Sequence, residues 1–179
     1  ITGAGVELSN DGGLDFSGIS VDSATAEADL ASATNPTSGD YKLGAVAVTI
    51  TGSGSLNLEG SNVDFGTSTF NVASNAALTL TLDQAETLAG NGPITGDGEV
   101  TITGGDADGA TDVITATVDV ALNGGQLTFD IVDDNDTEDT IKLTDSSSIS
   151  LGGGTLEVND GQLDVTALDN SATFDGVDN

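Results

Sequence analysis

Carboxylates are the only side chains that this sequence supplies in number for metal binding or acid-base chemistry. The chain has 30 Asp and Glu residues and two Lys, and it contains no His, Cys or Arg. Asp106, Asp108 and Asp112 fall in one Gly-rich segment. Ca²⁺ takes about six to eight oxygen ligands, and alternate carboxylates in a loop can converge on one ion. We therefore predict a calcium site in this segment.

A second acidic segment gives a second candidate calcium site. Its predicted ligands are Asp133, Asp134, Asp136, Glu138 and Asp139. The first segment resembles the start of an EF-hand loop but lacks the third Asp and the terminal Glu, and it has no GGxGxDxUx repeat. A solvated acidic corner therefore remains the alternative interpretation of both segments.

The sequence has few of the side chains that enzymes use for catalysis, and we expect no enzymatic activity. Without His, Cys or Arg the usual pairs of nucleophile and base and the usual oxyanion clamps are missing. Paired carboxylates can hydrolyse glycosides. However, a chain with 30 acidic residues brings some of them together by chance, so this signal has little weight.

Thr-x-Thr pairs are a further candidate binding feature, because a flat ladder of them could bind ice or a carbohydrate. They do not recur at one constant spacing along the chain. The high β-propensity of Thr on exposed faces is the alternative explanation. The pairs are Thr49 and Thr51, Thr67 and Thr69, Thr79 and Thr81, Thr101 and Thr103, and Thr115 and Thr117.

The elements that must position these residues are very short strands. Between residues 141 and 165, four apolar pairs each bracket one polar residue, which is the period-2 pattern of a strand with one buried face. The starts of successive pairs are 8, 7 and 7 residues apart, and turn-forming residues lie between them. The pairs are Ile141 and Leu143, Ile149 and Leu151, Leu156 and Val158, and Leu163 and Val165.

A second tract, from residue 56 to residue 80, has the same spacing, and the pattern can be followed through nearly the whole chain. We predict an all-β fold for residues 1–179, a single parallel β-solenoid with three faces and coils of about 21–22 residues. An antiparallel β-sandwich is the alternative, since its turn signals recur every 8–12 residues or so. Predicted inward positions are Leu56, Leu78, Val113, Val120, Ile141 and Leu163, and predicted outward positions are Asn57, Thr79, Lys142 and Asp164.

One stretch interrupts the strand pattern and predicts a short helix. It runs from Asp83 to Ala89, with Asp83 as the N-cap, Glu86 completing a capping box and Gly90 ending the helix. Residues 104–112 are predicted to form a loop.

The net charge of −28 limits the partners of the chain. Nucleic acids and anionic membrane surfaces would be repelled. The sequence contains no run of about 18 apolar residues, so it predicts no membrane-spanning helix. Cations or a saline medium would be needed to offset the self-repulsion. The chain has no Met, including at position 1, so we expect a processed or partial chain that functions outside the cytoplasm.

Two Gly-Gly corners, each followed by a strand start, resemble a known type of repeat. They are Gly124-Gly125-Gln126-Leu127 and Gly153-Gly154-Thr155-Leu156. They resemble passenger repeats of autotransporters and filamentous-haemagglutinin-like adhesins, and residues 78–104 look like repeats of S-layer-type bacterial surface proteins. The resemblance implies a structural or adhesive element at the cell surface. We further expect self-association into a polymer or surface layer, because open coil ends leave backbone groups unpaired.

Overall fold

A computed structural model gives the fold and describes residues 40–42, 47–50, 55–59, 62–105, 113–132 and 139–168. The strands predicted before residue 40 and the apolar position Phe174 lie outside these ranges.

The described residues form short strands and one helix, α1. The elements in chain order are β1 (Asp40–Lys42), β2 (Ala47–Ile50), β3 (Ser55–Asn57), β4 (Asn62–Asp64), β5 (Thr69–Val72), β6 (Ala77–Thr81), α1 (Leu82–Ala89), β7 (Ile94–Gly96), β8 (Glu99–Gly105), β9 (Val113–Ala116), β10 (Asp119–Leu122), β11 (Gln126–Val132), β12 (Thr140–Leu143), β13 (Ser148–Ser150), β14 (Thr155–Asn159) and β15 (Gln162–Asp164).

The strands stack as a parallel β-solenoid of about four turns. The first position of each coil forms one five-stranded sheet, in the order β2, β5, β7, β10 and β13; we name it face one. The second position forms face two, in the order β3, β6, β8, β11 and β14. The third position is occupied by β4, α1, β9, β12 and β15 in successive coils. Every described strand pair is parallel, which confirms the predicted solenoid and is incompatible with the antiparallel sandwich.

The core consists of apolar rows that run along the solenoid axis. On face two, Leu56, Leu78, Val100, Leu127 and Leu156 are successive Cα partners. The first four are buried, and Leu156 in the last described coil is half-buried. Complete burial of such a side chain contributes about 1.5–3 kcal/mol. The period-2 pattern turns these side chains inward, and the register between coils aligns them in one row.

The predicted directions of the side chains are mostly confirmed. Leu56, Leu78, Val120 and Ile141 are buried, Leu163 is half-buried against the core, and the outward positions Asn57, Thr79, Lys142 and Asp164 are partly exposed. The inward prediction for Val113 is wrong, because this side chain is 62% exposed. Its neighbour Ile114 is the Cα partner of the buried Ile141 and packs against the core instead. Because Val113 and Ile114 are adjacent and both apolar, the period-2 pattern alone does not decide which of them points inward.

The coils keep one length only where no segment is inserted. Successive partners at the start of the face-two strands are Ser55, Ala77, Glu99, Gln126 and Thr155, which lie 22, 22, 27 and 29 residues apart. The two longer coils contain the acidic segments 106–112 and 133–138. The insertions leave the stacking unchanged and alter only the spacing along the chain.

The predicted helix is present, but its N-terminus is two residues earlier than expected. Thr81, not Asp83, is the N-cap, and its hydroxyl accepts a hydrogen bond from the Gln84 amide at 3.3 Å. The Gln84 side chain accepts in return from the Thr81 amide at 3.0 Å. Gly90 ends the helix as predicted. Asp83 lies in the first turn, where a carboxylate interacts favourably with the helix dipole.

Candidate functional site

The structure describes one of the eight predicted calcium ligands. Asp139 is 1% exposed, and its backbone oxygen accepts a hydrogen bond from the Gln162 amide at 2.9 Å. The other seven lie outside the described residues: Asp106, Asp108, Asp112, Asp133, Asp134, Asp136 and Glu138.

The described residues that precede the two acidic segments lie at the same corner of the solenoid. Gly105 ends β8 and Val132 ends β11, and these residues are Cα partners on adjacent coils, which are spaced by about 4.8 Å. A carboxylate oxygen of Asp139 lies 3.1 Å from where a Cβ on Gly105 would stand. The sequence predicted two separate sites, whereas the structure brings the starts of both segments together.

Within the described ranges, no group of three or more His, Cys, Asp or Glu side chains is arranged to hold a metal ion. Calcium binding by the two acidic segments therefore stays a prediction about the residues that flank this corner.

An open groove of about 390 Å³ runs beside α1 where face two meets the third position of the coil. It falls within the range of ~300–1,000 Å³ that is typical of ligand sites. Apolar residues, glycines, threonines and acidic residues all line it. We call it the corner groove; its lining residues are Glu59, Thr81, Leu82, Asp83, Thr103, Gly104, Gly105, Ile114, Asp130 and Val132.

Three carboxylates, those of Glu59, Asp83 and Asp130, line the corner groove, and none of the described residues that line it is basic. Lys142 pairs elsewhere, at 3.8 Å from Asp164. Among the described side chains, none forms an ion pair with these three carboxylates.

Sequence reasoning did not identify this groove, although a signal for it exists. Glu59, Thr81 and Thr103 are separated from one another by single coils without insertions, so the solenoid stacks them in one column. Asp130 continues that column because it is the Cα partner of Thr103. The insertion of residues 106–112 hides this last relationship in the sequence.

Two of the five predicted Thr pairs, Thr79 with Thr81 and Thr101 with Thr103, lie on face two. Other predicted pairs fall in different positions of the coil, such as Thr69 in β5 and Thr115 in β9. Thr79, Thr101 and Thr128 are successive Cα partners, and Thr81 and Thr103 form a second, parallel column. The insertion lengthens only the step from Thr101 to Thr128, which is 27 residues against 22 from Thr79 to Thr101. The ladder is thus continuous in space although it is discontinuous in the chain.

Three of these five hydroxyls already have partners within the chain. Thr81 caps α1, Thr103 donates to the Leu80 carbonyl at 3.1 Å, and Thr128 accepts from the Gln126 amide group at 3.2 Å. A hydroxyl engaged in this way is less available to an outside ligand.

No family model, curated protein or solved structure matches the chain. In the part of the chain that the structure describes, no helix is long and apolar enough to cross a membrane.

Polar side chains form many of their hydrogen bonds with the neighbouring coil. Asn71 donates to the Thr95 hydroxyl of the next coil at 3.0 Å. Further contacts of this kind join Gln84 to Leu58, Asn91 to Gly66 and Ser68, Thr95 to Phe70, Thr103 to Leu80, Thr117 to Thr144, Gln126 to Glu157, and Ser147 to Ala116 and Val118. These bonds run along the solenoid axis and hold successive coils together.

Two carboxyl groups of the described chain are perturbed in opposite directions. Burial raises the pKa of Asp119. Hydrogen bonds from the side chain and backbone of Thr166 lower the pKa of Asp164, and the charge of Lys142 lowers it further. Neither residue lines the corner groove, so these shifts affect stability and not the groove.

Proposed function

We propose that the protein is a non-enzymatic structural or adhesive element of an extracellular bacterial assembly such as a fibre, an S-layer or an adhesin stalk. The observation that carries this proposal is the set of side-chain hydrogen bonds between coils. Each such bond contributes about 0.5–1.5 kcal/mol. A solenoid that uses its polar side chains to join one coil to the next resists bending and separation along its axis, as a spacer or scaffold must.

The chemistry of the chain supports a passive role. The sequence contains no His, Cys or Arg, and the described titratable groups of the corner groove are carboxylates alone. The small, regular polar side chains of face two suit contact with another surface better than they suit catalysis.

Self-association is part of the proposal. In the last described coil, Leu156 is half-buried and Val158 is 37% exposed, although their partners Leu127 and Phe129 in the coil below are completely buried. Among the described residues, β14 pairs with β11 on one side and no further strand pairs with its other side. Backbone pairing at such a coil end, with divalent cations between acidic flanks, would join copies into a polymer or surface layer.

Sedimentation of the native material tests this role. We expect large species in the presence of calcium that dissociate when the calcium is chelated, and electron micrographs of the large species should show filaments or a lattice. Antibodies against the chain should label the surface of the producing cells. A stable monomer in both conditions, or label confined to the cell interior, would contradict the proposal.

A carbohydrate- or ice-binding module is the second candidate, favoured by the in-register ladder of Thr79, Thr101 and Thr128. Thr101→Val keeps a β-branched side chain of nearly the same size but removes the hydroxyl from the centre of the ladder. Binding to a glycan array or inhibition of ice growth by the wild-type chain, lost in this variant, would favour the second candidate. The engaged hydroxyls make us expect neither activity.

A further inference from the structure

A cavity, an exposed apolar side chain and negative charge coincide in the corner groove. Val132, which is 47% exposed, and the half-buried Ile114 both line the groove. Glu59, Asp83 and Asp130 line the same groove. Large apolar side chains exposed inside a polar rim are typical of interaction sites.

The charge of the chain decides what kind of ligand fits. Another copy of this protein carries the same net charge of −28 and offers only two Lys residues. Polyanions such as nucleic acids would be repelled by the same carboxylates. A ligand for this groove must combine positive charge with an apolar body.

A lysine side chain has both properties, because its aliphatic stem lies on apolar surface while its ammonium group stays at a polar rim. We propose that the corner groove binds an extended, lysine-bearing segment of a partner protein. The stems contact Leu82, Ile114 and Val132, and the ammonium groups pair with the three carboxylates. This site is independent of the structural role proposed above and holds whether or not the chain self-associates.

The dimensions of the groove suggest the spacing of the lysines. Glu59, Thr81, Thr103 and Asp130 belong to four successive coils, so the column spans ~14 Å at about 4.8 Å per coil. An extended chain advances ~6.7 Å per two residues and presents alternate side chains on one side. A segment with three lysines at alternate positions therefore matches the column from one end to the other.

The probe is the peptide Lys-Gly-Lys-Gly-Lys with blocked termini, titrated into the isotope-labelled protein at low salt. We expect the largest amide shift changes at Leu82, Gly104 and Val132, and we expect binding to weaken as salt is added. The same peptide with Gln in place of each Lys should not bind. This measurement on the wild-type chain needs no variant to fold.

Two variants with equal charge change separate the groove from the general acidity of the chain. The groove variant combines Glu59→Gln, Asp83→Asn and Asp130→Asn, and the control combines Asp97→Asn, Glu99→Gln and Asp145→Asn. Loss of three exposed ion pairs should weaken peptide binding by about tenfold in the groove variant, and the control should change little. Equal weakening in both variants, or shift changes spread over the whole surface, would overturn the proposal.

Discussion

At the residue scale, the structure explains why each Gly-Gly corner needs two glycines. The first member has a positive φ, +95° at Gly124 and +93° at Gly153. Residues other than glycine rarely adopt such a φ. The second is required by close packing, because a Cβ on Gly125 would lie 2.2 Å from the Gly98 oxygen and one on Gly154 would lie 2.0 Å from the Gly125 oxygen. The sequence predicted the corners, but the contact between them depends on stacking that no single corner shows.

Gly125→Ala should therefore destabilise the solenoid by about 1–3 kcal/mol, the usual cost of overpacking. The matched control is Gly90→Ala. Gly90 has a φ of −66°, and a Cβ there would meet its nearest neighbour at 3.5 Å, so we expect little change. Urea unfolding of the two variants measures the difference, and equal stability would show that the coils can separate at this corner without cost.

Asp119 gives a prediction about pH. Its pKa is raised by burial, so the folded chain holds this proton more tightly than the unfolded chain does. The resulting stability is fully present below the unfolded pKa and is lost as the pH rises through the folded pKa. At neutral pH Asp119→Asn should thus melt at a higher temperature than the wild type, and the difference should vanish in acid. Asp145→Asn, an exposed carboxyl with the same charge change, is the control, and an equal gain there would assign the effect to net charge alone.

At the element scale, many of the short strands could be predicted because burial alternates with period 2, most regularly in β2, β5, β6, β10 and β12. The ends of α1 were harder to predict. Thr81 belongs to a Thr-x-Thr strand pattern and at the same time caps the helix, and a single residue with two roles obscures the boundary. Asp83 is a good capping residue by type, but the buried face formed by Leu82, Ala85 and Leu88 sets the start of the helix two residues earlier.

Thr81→Ala should cost about 0.5–2 kcal/mol because it removes the N-cap hydroxyl. Thr79→Ala is the control: Thr79 lies two residues earlier on the same outward side of β6 and does not cap a helix, so it reports the loss of β-propensity alone. Thermal unfolding followed by circular dichroism measures both. If the two variants lose the same stability, the capping box contributes nothing to the fold.

At the scale of the whole molecule, the coil architecture could be read from the sequence, but the candidate sites could not be assembled from it. The two acidic segments and the column from Glu59 to Asp130 depend on which residues become neighbours across coils of different lengths. Each insertion changes those neighbours without changing the local pattern. The mutual repulsion of the carboxylates, in contrast, can be read directly from the composition. A folded chain with a net charge of −28 must hold its carboxylates together against this repulsion.

The last prediction concerns how that repulsion is balanced. The acidic segments 106–112 and 133–138 both begin at the corner of Gly105 and Val132, so the carboxylates predicted to bind calcium are tethered to one small region. Calcium at about a hundred times its dissociation constant would add ~2.7 kcal/mol to the stability of the folded chain. This corresponds to a rise in melting temperature on the order of 5–10 °C for a chain of this size.

Simple screening by salt would also stabilise the chain, so the two effects must be separated. At about 1 M NaCl, where the Debye length is only about 3 Å, calcium should still raise the melting temperature relative to a chelator. A variant with Asp106→Asn, Asp108→Asn and Asp112→Asn should lose this rise, whereas one with Asp97→Asn, Glu99→Gln and Asp145→Asn, which has the same net charge, should keep it. Identical melting curves in calcium and in chelator would show that the acidic segments are solvated and that calcium does not hold them together.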